Sequence, residues 1–277
     1  MGTSAPEVAV SISAALKGSN EIAISNVVGS NFFNLLVVVG LCAILNPIVI
    51  TKTLIKRDFP LSIFANLLLI LSLAVGFFIN GNPTLLRLSG VLFLIIFAIY
   101  IYILVKSALK NPEQVEENIK TLSLPKSIIF ILIGILGVVF GGDFVVTNAK
   151  IIASSFGMSD NLIGLTIVAV GTSLPELVTS VVAAKKNEAD LALGNVIGSN
   201  IFNILFVLGV SASLNQISVG FDSIIDSTLL ILVNLFVLIV AIKKKSSLGK
   251  VMGSTMIFIY VLYSLYIIAR NYSILPF

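Results

Sequence analysis

Two glutamates in apolar surroundings are the residues of this chain best suited to chemistry. Glu7 and Glu176 each end the sequence Gly-Thr-Ser-x-Pro-Glu, and nearly all of their neighbours are apolar. An ionised carboxylate at the centre of a bilayer costs roughly 2.5 to 3.5 kcal/mol, and no Lys or Arg lies close by in the sequence to pair with either one. Because a bound cation would offset that cost, both glutamates are candidate cation ligands.

The two glutamates belong to a duplication with an offset of 169 residues. Residues 2–7 match residues 171–176, and residues 26–34 match residues 195–203 without a gap. The matched residues are Gly, Pro, Glu, Ser, Thr and Asn, whereas chance similarity between apolar segments would match Leu, Ile and Val. We therefore interpret the two segments as an internal repeat.

Helical spacing groups the polar residues of each copy into two stripes. Each stripe has its members four residues apart, so they lie on one face of a helix. The first copy has Thr3, Glu7 and Ser11, followed by Asn26, Ser30 and Asn34, and the second copy has Thr172, Glu176 and Ser180, followed by Asn195, Ser199 and Asn203. A site built from these stripes offers only oxygen ligands, which suit Na⁺ and also Ca²⁺ with its about six to eight oxygens. One divalent or two monovalent cations would neutralise both glutamates, so the two kinds of ion are expected to compete.

Two prolines are expected to interrupt the helices that carry the glutamates. Pro6 and Pro175 each lack an N–H, and each ring clashes with the carbonyl four residues back, on Gly2 or Gly171. Broken helices with freed carbonyls are typical of ion sites in membrane transporters.

Structural roles stay open for several of these residues. Gly194, Gly198 and Ser199 are typical of close packing between membrane helices, and we favour packing for the glycines. Amides can also hydrogen-bond between helices without contacting an ion, an alternative that applies to Asn26, Asn31, Asn195 and Asn200. Asp143 has either a structural or a gating role.

The composition is that of an integral membrane protein. Hydrophobic residues form 57% of the 277 residues and charged residues 11%, with a mean hydropathy of +1.11. These values exclude a soluble domain, and recurring apolar runs of roughly 18 to 25 residues predict an all-α, polytopic fold. The lipid bilayer is therefore an expected partner, whereas no nucleic acid and no cofactor are expected. The lack of histidine and the single Cys42 disfavour a soft-metal site.

The predicted membrane helices fall into two halves around one polar segment. They cover residues 1–17, 22–45, 59–79, 84–106, 126–154, 160–185, 190–213, 223–242 and 250–269. Residues 1–106 form a first, incomplete membrane repeat, residues 107–125 a linker, and residues 126–277 a second, inverted membrane repeat. The second half also holds a helix and a half before Gly171 that the first half lacks before Gly2, so roughly 45 further residues are expected upstream of Met1.

The basic residues predict the orientation of the helices. Of the 17 Lys and Arg residues, 13 fall on one side, and short cytoplasmic loops collect such residues. We therefore expect a multi-pass protein of the cell membrane with the linker in the cytoplasm and the C-terminus outside. The two copies then cross the membrane in opposite senses, an inverted repeat of the kind that many secondary transporters contain.

Together these residues resemble the two alpha repeats of the sodium/calcium exchanger family, within the cation/calcium antiporter superfamily. The resemblance implies an inverted-repeat exchanger fold of ten helices, in which the first helix and part of the second are missing here. It places calcium-binding acids at Glu7 and Glu176 and a contributing backbone carbonyl at Ala169. Its further site ligands are Thr3, Ser4, Ser30, Asn34, Thr172, Ser173, Ser199 and Asn203.

The chain departs from the family pattern at a few positions. Ser25 replaces the first glycine of the first Gly-Asn-x-x-Gly-Ser-Asn motif. Asn34 and Asn203 are amides where some relatives have an acid, so fewer groups in the site titrate, which favours sodium coupling over proton coupling.

The expected function is therefore secondary active antiport. Na⁺ would be exchanged for Ca²⁺ by alternating access to an oxygen-ligand site at the membrane midplane. Exchange of H⁺ or another cation for Ca²⁺ is the nearest alternative, and a passive cation channel is the next. An enzyme is the least favoured, because the sequence shows no clear pair of nucleophile and base. The sequence leaves the oligomeric state open.

Overall fold

The computed structural model describes residues 2–110, 123–186, 188–243 and 247–274. Its helices are α1 (Ala5–Leu16), α2 (Asn20–Leu45), α3 (Leu54–Asn80), α4 (Arg87–Lys110), α5 (Leu124–Phe156), α6 (Asp160–Thr172), α7 (Leu174–Lys185), α8 (189–214), α9 (Phe221–Lys243) and α10 (Lys250–Asn271). The predicted polytopic helical fold is confirmed. Most of the predicted linker lies outside the described residues, as do the side chains of Asp143 and Lys150.

The lengths of these helices fit a membrane. Among the described residues, six helices are long and apolar enough to cross a bilayer, and α6 with α7 forms a seventh if the bent pair is one span. The most apolar stretches of α2 and α8 are 83% and 78% buried, whereas that of α4 is 17% buried. The two helices of the duplicated Asn stripes therefore form the centre of the protein, and α4 lies at its lipid-facing edge.

The helix that carries Glu176 is broken, as Pro175 predicts. The predicted span 160–185 is two helices, α6 and α7, which meet at Ser173 with a bend of 45°. Pro175 lacks the N–H that would continue the α6 ladder. In the first copy, α1 begins at Ala5, and the N–H of Ala5 donates to the carbonyl of Gly2 at 3.3 Å. The expectation that this carbonyl is freed was therefore wrong, because a tight turn bonds it.

Four short strands join the two halves of the chain. They are β1 (Ile48–Val49), β2 (Thr84–Leu85), β3 (Ile217–Ser218) and β4 (Ser247–Leu248). β1 pairs antiparallel with β4, and β2 pairs antiparallel with β3. Each pair takes one strand from each half, so the halves are linked at two separate places. Runs of two residues are too short to show the alternation that identifies a strand, so the sequence did not predict them.

Close packing of α2 against α6 positions the centre of the protein. A Cβ added to Gly29 would lie 2.8 Å from Ala169 Cβ, and one added to Gly164 would lie 2.6 Å from Ser25 Cβ. Small residues therefore let the two backbones approach closely, as is common between membrane helices.

Candidate functional site

The predicted ligands lie in buried segments of five helices and of the turns that precede α1 and α7. Glu7 and Glu176 are fully buried, on α1 and α7. The other buried members are Ser4, Ser30, Asn34, Ala169, Thr172, Ser173, Ser199 and Asn203. Thr3 is half-buried, although its hydroxyl oxygen is itself buried. Ten of the eleven predicted ligands are therefore buried, and the hydroxyl oxygen of Thr3 is buried as well.

Each glutamate is hydrogen-bonded by a serine of the opposite repeat. Ser4 Oγ donates to Glu176 Oε1 at 2.7 Å, and Ser173 Oγ donates to Glu7 Oε1 at 2.9 Å. Ser199 Oγ lies 3.0 Å from Ser4 Oγ, which brings α8 into the same group. These bonds place the two carboxylates at the interface between the repeats and orient one oxygen of each.

A second group of the predicted ligands lies at the end of α6. Ser30 Oγ lies 3.2 Å from Thr172 Oγ1 and 3.4 Å from the carbonyl oxygen of Ala169. Thr172 Oγ1 lies 3.1 Å from Asn26 Oδ1. Asn26 in turn donates to Ser11 Oγ at 2.9 Å, so α1, α2 and α6 share one polar cluster.

Two asparagines hold α2 and α8 together by reciprocal bonds. Asn31 Nδ2 donates to the backbone carbonyl of Asn200 at 3.2 Å, and Asn200 Nδ2 donates to the carbonyl of Asn31 at 3.2 Å. These two amides therefore hydrogen-bond between helices, which is the structural alternative to contact with an ion. Their side-chain oxygens accept bonds from the predicted ligands: Asn203 Nδ2 lies 3.1 Å from Asn31 Oδ1, and Asn34 Nδ2 lies 3.4 Å from Asn200 Oδ1.

Asn34 and Asn203 each begin a π-helical turn. The turns cover Asn34–Val38 in α2 and Asn203–Leu208 in α8. Such turns shift the following residues relative to a regular α-helix and occur frequently at functional sites. The sequence did not predict them, because they arise at matching positions of two apolar helices without a proline or glycine to mark them.

Several oxygens of the site point to a ligand other than the protein. Among the described residues, five of these buried oxygens have no hydrogen-bond partner: Glu7 Oε2, Glu176 Oε2, Thr3 Oγ1, Asn34 Oδ1 and Asn203 Oδ1. Within the same part of the chain, neither glutamate forms an ion pair with Lys or Arg. Leaving a buried charge and buried oxygens unpaired is unfavourable, and a hard cation bonded by these oxygens would satisfy them.

The packing expectation was wrong for two glycines. A Cβ added to Gly194 or Gly198 meets no atom within 4 Å, in contrast to the tight contacts of Gly29. The reason is that α6, which packs on Gly29, has no counterpart beside α8 in the described part of the chain. Ser199 also has a polar role, because its hydroxyl reaches Ser4.

Sequence reasoning missed one polar connection near the site. Asn161 Nδ2 on α6 donates to Ser25 Oγ on α2 at 2.9 Å, and both residues are buried. The departure of Ser25 from the glycine of the family pattern was the available signal, because a hydroxyl in the middle of a buried membrane helix needs a partner.

Comparisons with known proteins agree with this architecture. A family model described as sodium/calcium exchanger protein matches residues 1–106 and 126–269. CaxA of Alkalimonas amylolytica is 43% identical over 217 aligned positions, and the match covers 76% of this chain and 66% of CaxA, slightly less than two thirds of that relative. The sodium/calcium exchanger MaX1 of Methanosarcina acetivorans is 31% identical over 276 aligned positions, and the match covers 86% of this chain and 78% of MaX1.

The fold is also similar to a solved structure. The sodium-calcium exchanger NCX_Mj, soaked with 10 mM Na⁺ and zero Ca²⁺, matches with a TM-score of 0.67 and 32% identity over 94% of this chain and 82% of that chain. The match includes both halves of the inverted repeat, and the family model covers nearly the whole sequence. The chain therefore belongs to the sodium/calcium exchanger family.

Proposed function

We propose that this protein is a secondary active antiporter that exchanges Na⁺ for Ca²⁺ at the site between its two repeats. The observation that carries the proposal is the state of the two carboxylates. Glu7 and Glu176 are fully buried, and each has one oxygen bonded by a serine of the opposite repeat and one oxygen without a described partner. Such a pair of negative groups is suited to a cation that enters and leaves.

The charge of the site accounts for exchange. One Ca²⁺ or two Na⁺ would each balance the two glutamates, and both ions prefer oxygen ligands. If occupancy by one kind of ion excludes the other, a downhill flux of Na⁺ through the site drives Ca²⁺ in the opposite direction. Asn34 and Asn203 contribute amide oxygens, which do not titrate, and this favours Na⁺ over H⁺ as the counter-ion.

The position of the site between the repeats supports alternating access. Each glutamate is hydrogen-bonded by a serine of the opposite half, so a relative movement of the halves would change which side reaches the ions. The names of MaX1 and NCX_Mj, which are 31% and 32% identical to this chain, support sodium and calcium as the ions. We propose the cell membrane as the host, with residues 107–125 in the cytoplasm and the C-terminus outside.

Radioactive calcium uptake into sealed vesicles that contain the purified chain tests the proposal. Vesicles loaded with Na⁺ and diluted into Na⁺-free medium are expected to accumulate ⁴⁵Ca²⁺, and collapse of the Na⁺ gradient with an ionophore is expected to stop the uptake. If Ca²⁺ uptake is driven by a pH gradient of equal size and not by the Na⁺ gradient, the counter-ion is H⁺ and the proposal of Na⁺ is wrong. Calcium flux that needs no counter-ion would instead identify a passive channel and overturn antiport.

A further inference from the structure

Arg270 connects α10 with two other helices through a buried polar network. Its guanidinium donates to the two carboxylate oxygens of Asp226 on α9, at 3.1 and 2.9 Å. The same guanidinium donates to Asn161 Oδ1 on α6 at 2.8 Å. The side chains of Arg270 and Asp226 are 13% and 1% exposed. The planar fork of an arginine therefore bonds α9 and α6 at the same time.

The contact with Asn161 is additional to what the ion pair needs. Asp226 already accepts bonds on both oxygens from Arg270, and Tyr263 Oη donates to Asp226 Oδ1 at 3.2 Å. The charge of Arg270 is further balanced by Asp222, 3.5 Å away. The charges of Arg270 and Asp226 would be paired without any residue of α6. The bond from Arg270 to Asn161 therefore has a role other than charge pairing.

Asn161 extends the connection to α2. Its amide nitrogen donates to Ser25 Oγ at 2.9 Å. Ser25 occupies the position that is Gly194 in the second repeat, where a glycine has no hydroxyl to offer. The departure of Ser25 from the family pattern therefore supplies the acceptor, and the chain Arg270–Asn161–Ser25 has no equivalent at the matching position of α8.

α6 links this network to the predicted ion ligands. Asn161 lies near the start of α6, eight residues before Ala169, and a π-helical turn at Gly164–Val168 lies between them. Between them, α6 is seated tightly on α2, since a Cβ added to Gly164 would lie 2.6 Å from Ser25 Cβ. Because α6 is packed against α2 along this stretch, the placement of its start affects the position of the predicted ligands at its end.

We propose that Arg270 is a positioning residue for ion binding. Through Asn161 and Ser25 it fixes the start of α6 against α9 and α2, and so places the Ala169 carbonyl and the Thr172 hydroxyl in the ion site. The identity of the ion rests on the proposed function, whereas the anchoring of α6 does not.

Three substitutions remove one link each, and one serves as a matched control. Arg270→Lys keeps the positive charge beside Asp226 but has no planar fork to reach Asn161 as well. Asn161→Ala and Ser25→Ala leave the ion pair intact. The control is Arg57→Lys, since Arg57 forms a similar two-bond pair with Asp58, at 2.7 and 3.1 Å, at the start of α3.

Hydrogen–deuterium exchange of the full chain in lipid nanodiscs tests the anchoring. Exchange in a peptide covering residues 160–168 is expected to rise at least about tenfold in Arg270→Lys, Asn161→Ala and Ser25→Ala, and to be unchanged in Arg57→Lys. Equal exchange in the wild type and all three variants would overturn the proposal. If Arg270→Lys does not fold, the other two variants decide the outcome.

Transport kinetics test the consequence for the site. In the Na⁺-driven assay, Arg270→Lys and Asn161→Ala are each expected to raise the Ca²⁺ concentration at half-maximal uptake about five- to tenfold, with little change in the maximal rate. Both substitutions break the same connection. The Ca²⁺ concentration at half-maximal uptake is therefore expected to be no higher in the double variant than in the more impaired single variant. Additive effects, or a loss of maximal rate alone, would contradict a positioning role. A wild type without Na⁺-driven uptake would refute the proposed function and leave the exchange experiment to decide the anchoring.

Discussion

Ser4 Oγ lies 2.7 Å from Glu176 Oε1, so a residue of one repeat hydrogen-bonds the carboxylate of the other. The reverse bond, from Ser173 to Glu7, is 2.9 Å long. A second pair of reciprocal bonds lies further from the glutamates. Asn46 donates to the carbonyl of Ala184, and Asn215 donates to that of Ala15. The inverted repeat is therefore joined by pairs of equivalent bonds, and the predicted ligands Glu7 and Glu176 take part in one of these pairs.

Removal of either carboxylate charge is expected to abolish calcium transport. Glu176→Gln and Glu7→Gln preserve the shape of the side chain but leave one negative charge, which cannot balance a divalent ion. Uptake of ⁴⁵Ca²⁺ driven by Na⁺ is expected to fall to the level of empty vesicles in both variants. Glu188→Gln, which changes an exposed acid at the start of α8, is the control and is expected to transport normally. Calcium uptake at the wild-type rate in either site variant would refute the ion site.

The two serines that orient the glutamates are expected to contribute equally to calcium affinity. A hydrogen bond to a charged group contributes roughly 1.5 to 3 kcal/mol, so Ser4→Ala and Ser173→Ala are each expected to weaken Ca²⁺ binding at least about tenfold. Isothermal titration with Ca²⁺ measures the change. Because the two bonds are equivalent in the inverted repeat, a large effect of only one serine would contradict a shared site.

Bound calcium is expected to stabilise the protein through the same carboxylates. A ligand present at about 100 times its Kd adds about 2.7 kcal/mol to the free energy of unfolding. Thermal unfolding in detergent is therefore expected to shift to higher temperature when Ca²⁺ is added to the wild type. The shift is expected to be absent in Glu7→Gln and in Glu176→Gln. A shift that persists in both variants would place calcium binding elsewhere.

The reciprocal amide pair is expected to hold the repeats together. Asn31→Ala removes the bond to the Asn200 carbonyl and also takes away the acceptor of the buried Asn203 amide. Leaving that donor unpaired costs about 1 to 3 kcal/mol of stability. The thermal midpoint of the purified protein measures the loss. Thr255→Ala is a suitable control, because Thr255 is exposed and its hydroxyl donates to the carbonyl of Val251, one turn earlier in the same helix. An unchanged midpoint in Asn31→Ala would contradict this role.

A glycine contact between α2 and α10 is expected to tolerate no side chain. A Cβ added to Gly253 would collide with the carbonyl of Gly40 and lie 2.9 Å from Ile44 Cγ1. Gly253→Ala is therefore expected to destabilise the protein by about 1 to 3 kcal/mol, as overpacking does. Gly249→Ala, at the start of the same helix, enters open space and is expected to leave the thermal midpoint unchanged.

The composition and the local sequence pattern determined the membrane helices, the candidate ligands and one helix break of this protein. The apolar runs identify the membrane helices, because a bilayer demands about 20 apolar residues for each span. The duplicated polar motifs predict the two glutamates and the polar residues around them as the ligands of a cation. Pro175 predicts the break before Glu176, since the missing N–H acts within one helical turn. All of these features depend on residues close together in the sequence.

Tertiary structure alone decided which residues meet. The sequence does not predict the reciprocal bonds of Asn31 and Asn200. Nor does it predict that Ser25 bonds to Asn161 and, through Asn161, connects to Arg270. The paired strands and the contact of Ser4 with Glu176 are likewise made between residues more than a hundred positions apart. Such contacts are set by how the helices of the two repeats pack against each other, and periodicity within one helix contains no information about that packing.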